Sequence, residues 1–163
     1  MSDSILENLQ ERSKDKRSEN HKFFKRLKKK TPKQLDIVVH ELHDEVFEEI
    51  DCLTCANCCK TTSPIVTERD ITRIAKHLRL KETDFIEQYL FRDTDGLWAM
   101  RQTPCPFLDQ DNYCLIYEYR PKACAEYPHT DRRKFIQIAD LTLKNTEICP
   151  AVFEIVERLK TKM

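Results

Sequence analysis

The sequence predicts a mainly α protein: a small helical domain with short extended pieces and irregular Pro- and Cys-rich loops. Three observations carry that expectation. Apolar residues recur at helical spacing through most of the 163 residues, with one short stretch suited to a strand. Residues 101–130 hold four of the seven prolines (Pro104, Pro106, Pro121, Pro128) and three of the eight cysteines, which limits regular structure there to short pieces. Glycine is nearly absent: the chain has Gly96 and no other, where ordinary usage would give about 11. That scarcity excludes the G-x-G-x-x-G dinucleotide fingerprint and the phosphate-binding P-loop.

Ser4 to Lys30 reads as the first helix, with Ile5, Leu6 and Leu9 starting an apolar stripe that Phe23, Phe24 and Leu27 resume after a polar middle. The break falls at Thr31-Pro32-Lys33-Gln34, where Thr31 can cap, Pro32 suits the first helical position and Gln34 completes a capping box. Leu35, Val38, Val39, Leu42, Val46 and Ile50 give the next helix one apolar face. Thr67-Glu68-Arg69-Asp70 opens a further helix with Ile71, Ile74, Ala75 and Leu78 inward. Phe85, Ile86, Tyr89 and Leu90 mark a short one after it. Around Gly96 the pattern changes to an extended Leu97-Trp98-Ala99-Met100. Helices are expected again near 131–143 and 150–160.

Charge is balanced overall and lopsided along the chain. Residues 1–33 carry eleven Lys or Arg against five Asp or Glu, while Asp36 to Asp51 carries seven acidic residues and no Lys or Arg. The bland expectation is that two oppositely charged helices pair. A Lys-rich phosphate-binding patch is the sharper alternative, but no aromatic–basic interleaving accompanies it, which argues against nucleic acid as a partner. These shifts divide the chain into a basic N-terminal helix, residues 1–33, and a cysteine-bearing domain, residues 34–163, with its core at 50–151. The first residues lack an apolar signal region and no apolar run approaches about 18 residues, so the expectation is a cytoplasmic protein, off the membrane, with reduced thiols.

Reduced, clustered cysteines read first as metal ligands. The spacing is Cys52-x-x-Cys55-x-x-Cys58-Cys59, then Cys105, Cys114 and Cys124, and last Cys149-Pro150. Each C-x-x-C step can aim two soft thiolates at one centre, which favours zinc or an iron–sulfur cluster over hard cations. The three-cysteine run resembles the start of a bacterial ferredoxin motif, whose last ligand precedes proline; Cys105-Pro106 or Cys149-Pro150 could supply it. All eight cysteines (Cys52, Cys55, Cys58, Cys59, Cys105, Cys114, Cys124, Cys149) are therefore candidate ligands of a 4Fe–4S cluster or of zinc, with loops wrapped around that centre. Two alternatives stay open. On a helix Cys52, Cys55 and Cys59 would share one face and could pack as small hydrophobes, and in an oxidising compartment the cysteines could form disulfides. Neighbouring thiols diverge from the backbone, so Cys58 and Cys59 need not both ligate one ion.

These residues, with Pro104-Cys105-Pro106-Phe107-Leu108, Ile116-Tyr117, Arg120-Pro121 and Cys149-Pro150, resemble the YkgJ-type cysteine-cluster family. That family is known by its C-x-x-C-x-x-C-C motif and associated with zinc or iron chelation. The resemblance spans roughly residues 50–151. Ala56 and Ala151 stand where the family often has glycine. A similar cluster in flagellin lysine N-methylases is associated with a 4Fe–4S centre, but this chain is short and shows no evident methyl-donor site. The implied role is electron transfer, sensing or metal and cluster handling with a protein or redox partner. The alternatives are a cluster-dependent enzyme or a zinc-stapled interaction module. No catalytic constellation is evident. His40 and His43 are three apart, not four as in the zinc-protease helix, and read as part of an acidic face. His129 is a candidate substitute ligand. Tyr117 and Arg120 are candidates to support the centre by offsetting thiolate charge.

Overall fold

Helical apolar spacing becomes helix in the computed structural model, which describes residues 2–51 and 55–163, with side chains from residue 8 onward. In chain order the elements are α1 (Ser2–Lys29), α2 (Leu35–Glu49), α3 (Asn57–Thr61), α4 (Glu68–Leu78), α5 (Glu82–Tyr89), β1 (Leu90–Arg92) and β2 (Trp98–Met100). A 3-10 turn (Tyr117–Tyr119), α6 (Lys122–Glu126), a second 3-10 turn (Phe135–Ile138), α7 (Ala139–Asn145) and α8 (Pro150–Lys162) follow. The protein is mainly α. It divides into two compact units, Met1–Cys55 with Pro128–Met163, and Ala56–Tyr127. Composition, by comparison, places its boundary at residues 33 and 34.

The first unit is built around α8. Its buried Ala151, Val152, Ile155, Val156 and Leu159 meet Phe23, Phe24 and Leu27 of α1 and Leu35, Val39, Leu42 and Val46 of α2. Pro150 starts α8, where its missing N–H costs nothing. The expected pairing of basic α1 with acidic α2 gives way to a different arrangement. The ion pairs from α1 run to α7 and α8 and to the turn between them: Lys28–Asp140 at 2.6 Å, Arg17–Glu147 at 2.6 Å, Arg12–Glu154 at 3.2 Å and Glu19–Lys160 at 2.6 Å. The α2 acids Glu45 and Glu49 meet Arg158 of α8 instead. Exposed ion pairs contribute about 0–1 kcal/mol each, less than burying one large apolar side chain, so the apolar stripes decide which helices meet.

The helix start at residue 35 also differs from the motif reading. Gln34 is itself the capping position and makes no side-chain cap, while the Thr31 hydroxyl donates to Leu27 O at 2.9 Å and closes the end of α1. The helix expected from about residue 131 begins later. Lys134 adopts a left-handed conformation (φ 55°), and the chain passes through the second 3-10 turn before α7.

The second unit has a smaller core of Val66, Ile71, Ile74, Ala75, Phe85, Leu90, Met100, Phe107 and Ile116. The capping box expected at Thr67 is formed: Asp70 N–H donates to Thr67 Oγ1 and Thr67 N–H donates to Asp70 Oδ2. Leu90, expected to end α5, starts β1, which pairs antiparallel with β2 in the register Leu90–Met100, Phe91–Ala99, Arg92–Trp98. Gly96 takes φ 76° in the connecting turn, a conformation that costs other residues strain. Asp93 Oδ1 fixes the same turn by accepting from Asp95 N–H and Leu97 N–H.

Candidate metal centre

Four short segments of the second unit carry thiols. The first opens with Ala56, buried and left-handed at φ 47°, the position where glycine would be free of steric penalty. This residue turns the chain into α3, whose first turn bears Cys58 and Cys59, both half-buried. The Cys105 backbone N–H donates to Cys59 O at 2.8 Å and ties the second segment, Pro104-Cys105-Pro106, to the first. The third returns through a reverse turn. Asp109 Oδ1 accepts from Asp111 N–H and Tyr113 N–H, Asn112 takes φ 63°, and Leu108 bridges Cys114 in antiparallel fashion. The fourth is α6, which carries Cys124.

Asp70 anchors that fourth segment. Although 1% exposed, it accepts at Oδ1 from Arg73 (2.7 Å) and from Lys122 N–H (3.2 Å), the first residue of α6. Arg73 also donates to Arg120 O at 2.8 Å. Burial pushes the Asp70 carboxyl up, but these donors and the Thr67 N–H and hydroxyl outweigh it and hold the group below its ordinary range. The Thr67-x-x-Asp70 pattern announces a helix start; nothing in the sequence announces that the same carboxylate docks a cysteine-bearing helix fifty residues on. Asp70 and Arg73 are thus the site residues that sequence reasoning misses.

Thiol electrostatics follow from the same geometry. Cys59 is drawn down to about 7, first by a hydrogen bond from Cys58 and then by the charge of Lys60, against the effect of burial. Burial raises Cys105, Cys114 and Cys124, and the charge of Cys59 raises each further. Cys124, which also feels Cys105 and Cys114, is pushed up to about 12. Four thiols that sense one another this way occupy one neighbourhood, and four thiolates there would repel until a cation neutralises them. Arg120 acts in the opposite sense, lowering Cys114 and Cys124. Its guanidinium lies 4.0 Å from the Tyr117 ring centroid and donates to Tyr117 O at 2.9 Å. Among the described residues no three His, Cys, Asp or Glu side chains stand at the spacing of ligands around one ion.

The remaining candidates fall elsewhere. Cys55 is half-buried at the end of the first unit's opening segment. Cys149 belongs to the first unit, half-buried against its apolar core at the start of α8. Cys52 lies outside the described residues. None of the seven described cysteines is in a disulfide. His43 faces Thr130 Oγ1 at 2.6 Å and the Phe47 ring, and His40 lies 3.7 Å from Asp44, which places both among first-unit contacts. His129, half-buried with φ 66°, is also in the first unit.

Soft donors gathered on short, Pro-flanked segments define a cysteine-rich chelating domain. Residues 51–150 match the C-x-x-C-x-x-C-C family described as "Putative zinc- or iron-chelating domain", and the chain belongs to that family. It is also similar to an uncharacterized protein of Methanocaldococcus jannaschii, 28% identical over 82 residues. The alignment covers 48% of this chain and 44% of that protein, so it spans under half the length of the relative. No solved structure matches. No helix among the described residues is long and apolar enough to cross a membrane.

Proposed function

We propose that the second unit holds a thiolate-bound zinc or iron centre through Cys59, Cys105, Cys114 and Cys124, with Cys58 next to Cys59 in the chain. The carrying observation is that four separate segments bring these thiols into mutual electrostatic reach. The donor set fits a thiophilic group: all donors are sulfur, half-buried, and accompanied by a guanidinium that offsets their charge. Such a centre supplies either one-electron chemistry, as a 4Fe–4S cluster, or a structural staple, as zinc. The four-iron reading is the first choice. It is supported by Cys105-Pro106, the Cys-Pro pair whose backbone N–H is hydrogen-bonded to Cys59 O, and by the likeness of the Cys52-x-x-Cys55-x-x-Cys58 run to a ferredoxin motif, which would bring Cys58 in as a ligand in place of or beside Cys59. The role in view is electron transfer, sensing or metal handling in a reducing cytoplasm, with a protein partner.

This chain's own residues then divide the work. Cys59, drawn down to about 7 by Cys58 and Lys60, is the first donor available to an incoming ion. Cys124 holds its proton most firmly and releases it last, so loading liberates protons. Asp70 and Arg73 hold α6 in register for Cys124. Anaerobic purification followed by iron, sulfide and zinc analysis with electronic absorption tests the proposal. A brown protein with matched iron and sulfide supports the cluster, colourless stoichiometric zinc supports the staple, and protein lacking both metals overturns the reading.

A further inference from the structure

The Lys-rich end of α1 is only partly consumed by packing. Lys28 pairs with Asp140, but Lys29, Lys30 and Lys33 stay exposed with no acidic partner among the described residues. The fold adds a second run that the sequence places a hundred residues away. Asp36 accepts from Lys134 N–H at 2.8 Å and from Phe135 N–H at 3.0 Å, and so fixes Arg132-Arg133-Lys134 beside the start of α2. Lys33 and Lys134 line one surface groove of ≈ 380 Å³ with Pro32, Asp36 and Gln137. Arg132, Arg133 and Lys134 are exposed and also lack an acidic partner among the described residues.

Helix stability does not account for this run. Cations favour the C-terminal end of a helix, which suits Lys29, but Arg132, Arg133 and Lys134 precede the N-terminal end of the 3-10 turn and α7, where positive charge is unfavourable. Asp36 spends both oxygens on backbone N–H groups there. Lys33 and Lys134 therefore meet at one groove of the first unit, each continued along the chain by further exposed cations, Lys29 and Lys30 on one side and Arg132 and Arg133 on the other, with Asp36 and Asp131 as the nearby acids.

We infer that this end of the first unit binds the phosphate backbone of nucleic acid without regard to base sequence. Lys33 and Lys134 on the groove, with the exposed cations that flank each of them, can meet successive phosphates; the second basic run, which only the fold brings to the first, reopens a partner that the lack of aromatic interleaving around residues 25–33 argued against. A membrane surface fits less well, because the exposed large apolar side chains of the first unit among the described residues, Ile37 and Leu141, stand on two different helices and form no continuous apolar face. This inference stands on the first unit and does not depend on the metal reading.

The test uses the full chain as purified, and fluorescein-labelled single strands and duplexes of mixed sequence, with binding followed by anisotropy over a salt series. Both probes should bind, with log affinity falling against log salt at a slope of about −4 for four to five phosphates engaged. The variant K33E/R132E/R133E/K134E should lose at least about tenfold in affinity and flatten that slope. K33Q/R132Q/R133Q/K134Q, with less charge disturbance, should lose less in the same direction. K76E/K81E, on the second unit, should leave affinity unchanged. Circular dichroism melting keeps loss of fold apart from loss of binding. Absence of salt-dependent binding, an equal loss in K76E/K81E, or charge-dependent binding to phosphatidylserine vesicles in place of nucleic acid would each overturn the inference.

Discussion

Among the described residues, fourteen buried apolar side chains meet in the first unit's core, whereas nine form the core of the second. The first draws them from long helices that present whole stripes. The second draws them from a pair of short helices, a two-stranded hairpin and Pro-flanked loops. Five of the seven described cysteines, Cys58, Cys59, Cys105, Cys114 and Cys124, belong to the second unit. Small cores gain little from burial, and metal ligation is the usual supplement. The contrast teaches that one chain carries a unit rich in buried apolar contacts and a unit with a smaller core and most of the described thiols, where a bound metal would add most to stability.

The sharpest way to break that comparison is to remove the staple. C59S/C105S should abolish stoichiometric metal, because it removes two of the four proposed sulfur donors. Amide exchange should then accelerate across α4 and α5 while α2 and α8 stay protected. Retained metal, or equal loss in both units, would refute the division. Cys55→Ser tests the second cysteine of the run in the same assay and should lower metal content and thermal stability together.

The converse experiment strikes the packed unit. Phe135→Ala deletes a fully buried ring and should cost about 3–5 kcal/mol. Denaturant unfolding should show that loss with metal content per folded molecule unchanged.

Asp70 sharpens the comparison inside the second unit. Asp70→Asn should cost about 2 kcal/mol, since it weakens the cap and leaves Arg73 and Lys122 N–H poorly paired. The folded carboxyl lies below its ordinary range, so its contribution is complete above the unfolded value near 4 and disappears as pH falls through the folded value. Acid titration of stability should therefore be shallower in the variant than in the parent protein.

Arg120→Gln should leave the fold intact and weaken metal binding by about 10–100-fold, because Cys114 and Cys124 lose the charge that lowers them. A chelator competition run at two pH values would show the deficit shrinking as pH rises. The smallest effect is expected at Ala56→Gly, which should stabilise by about 0.5–1 kcal/mol by relieving the left-handed strain. A melting temperature that falls would show that the methyl group packs usefully.

The sequence by itself determined the mainly α class, most helix positions, the capping box at Thr67 and the cysteines as the chemical content of the site. Each of these is written in local spacing: 3.6-residue stripes, cap residues, and thiols three positions apart. Tertiary structure alone decided the rest. It gave α1 and α2 a shared partner in α8 where charge suggested they would pair with each other, because apolar area outweighs exposed ion pairs. It set Cys149 in the first unit and gathered Cys58, Cys59, Cys105, Cys114 and Cys124 in the second. It made Asp70 an anchor for α6, and it brought Lys33 to Lys134. These contacts join residues many turns apart, and no local period encodes them; they exist only once burial has fixed how the helices pack.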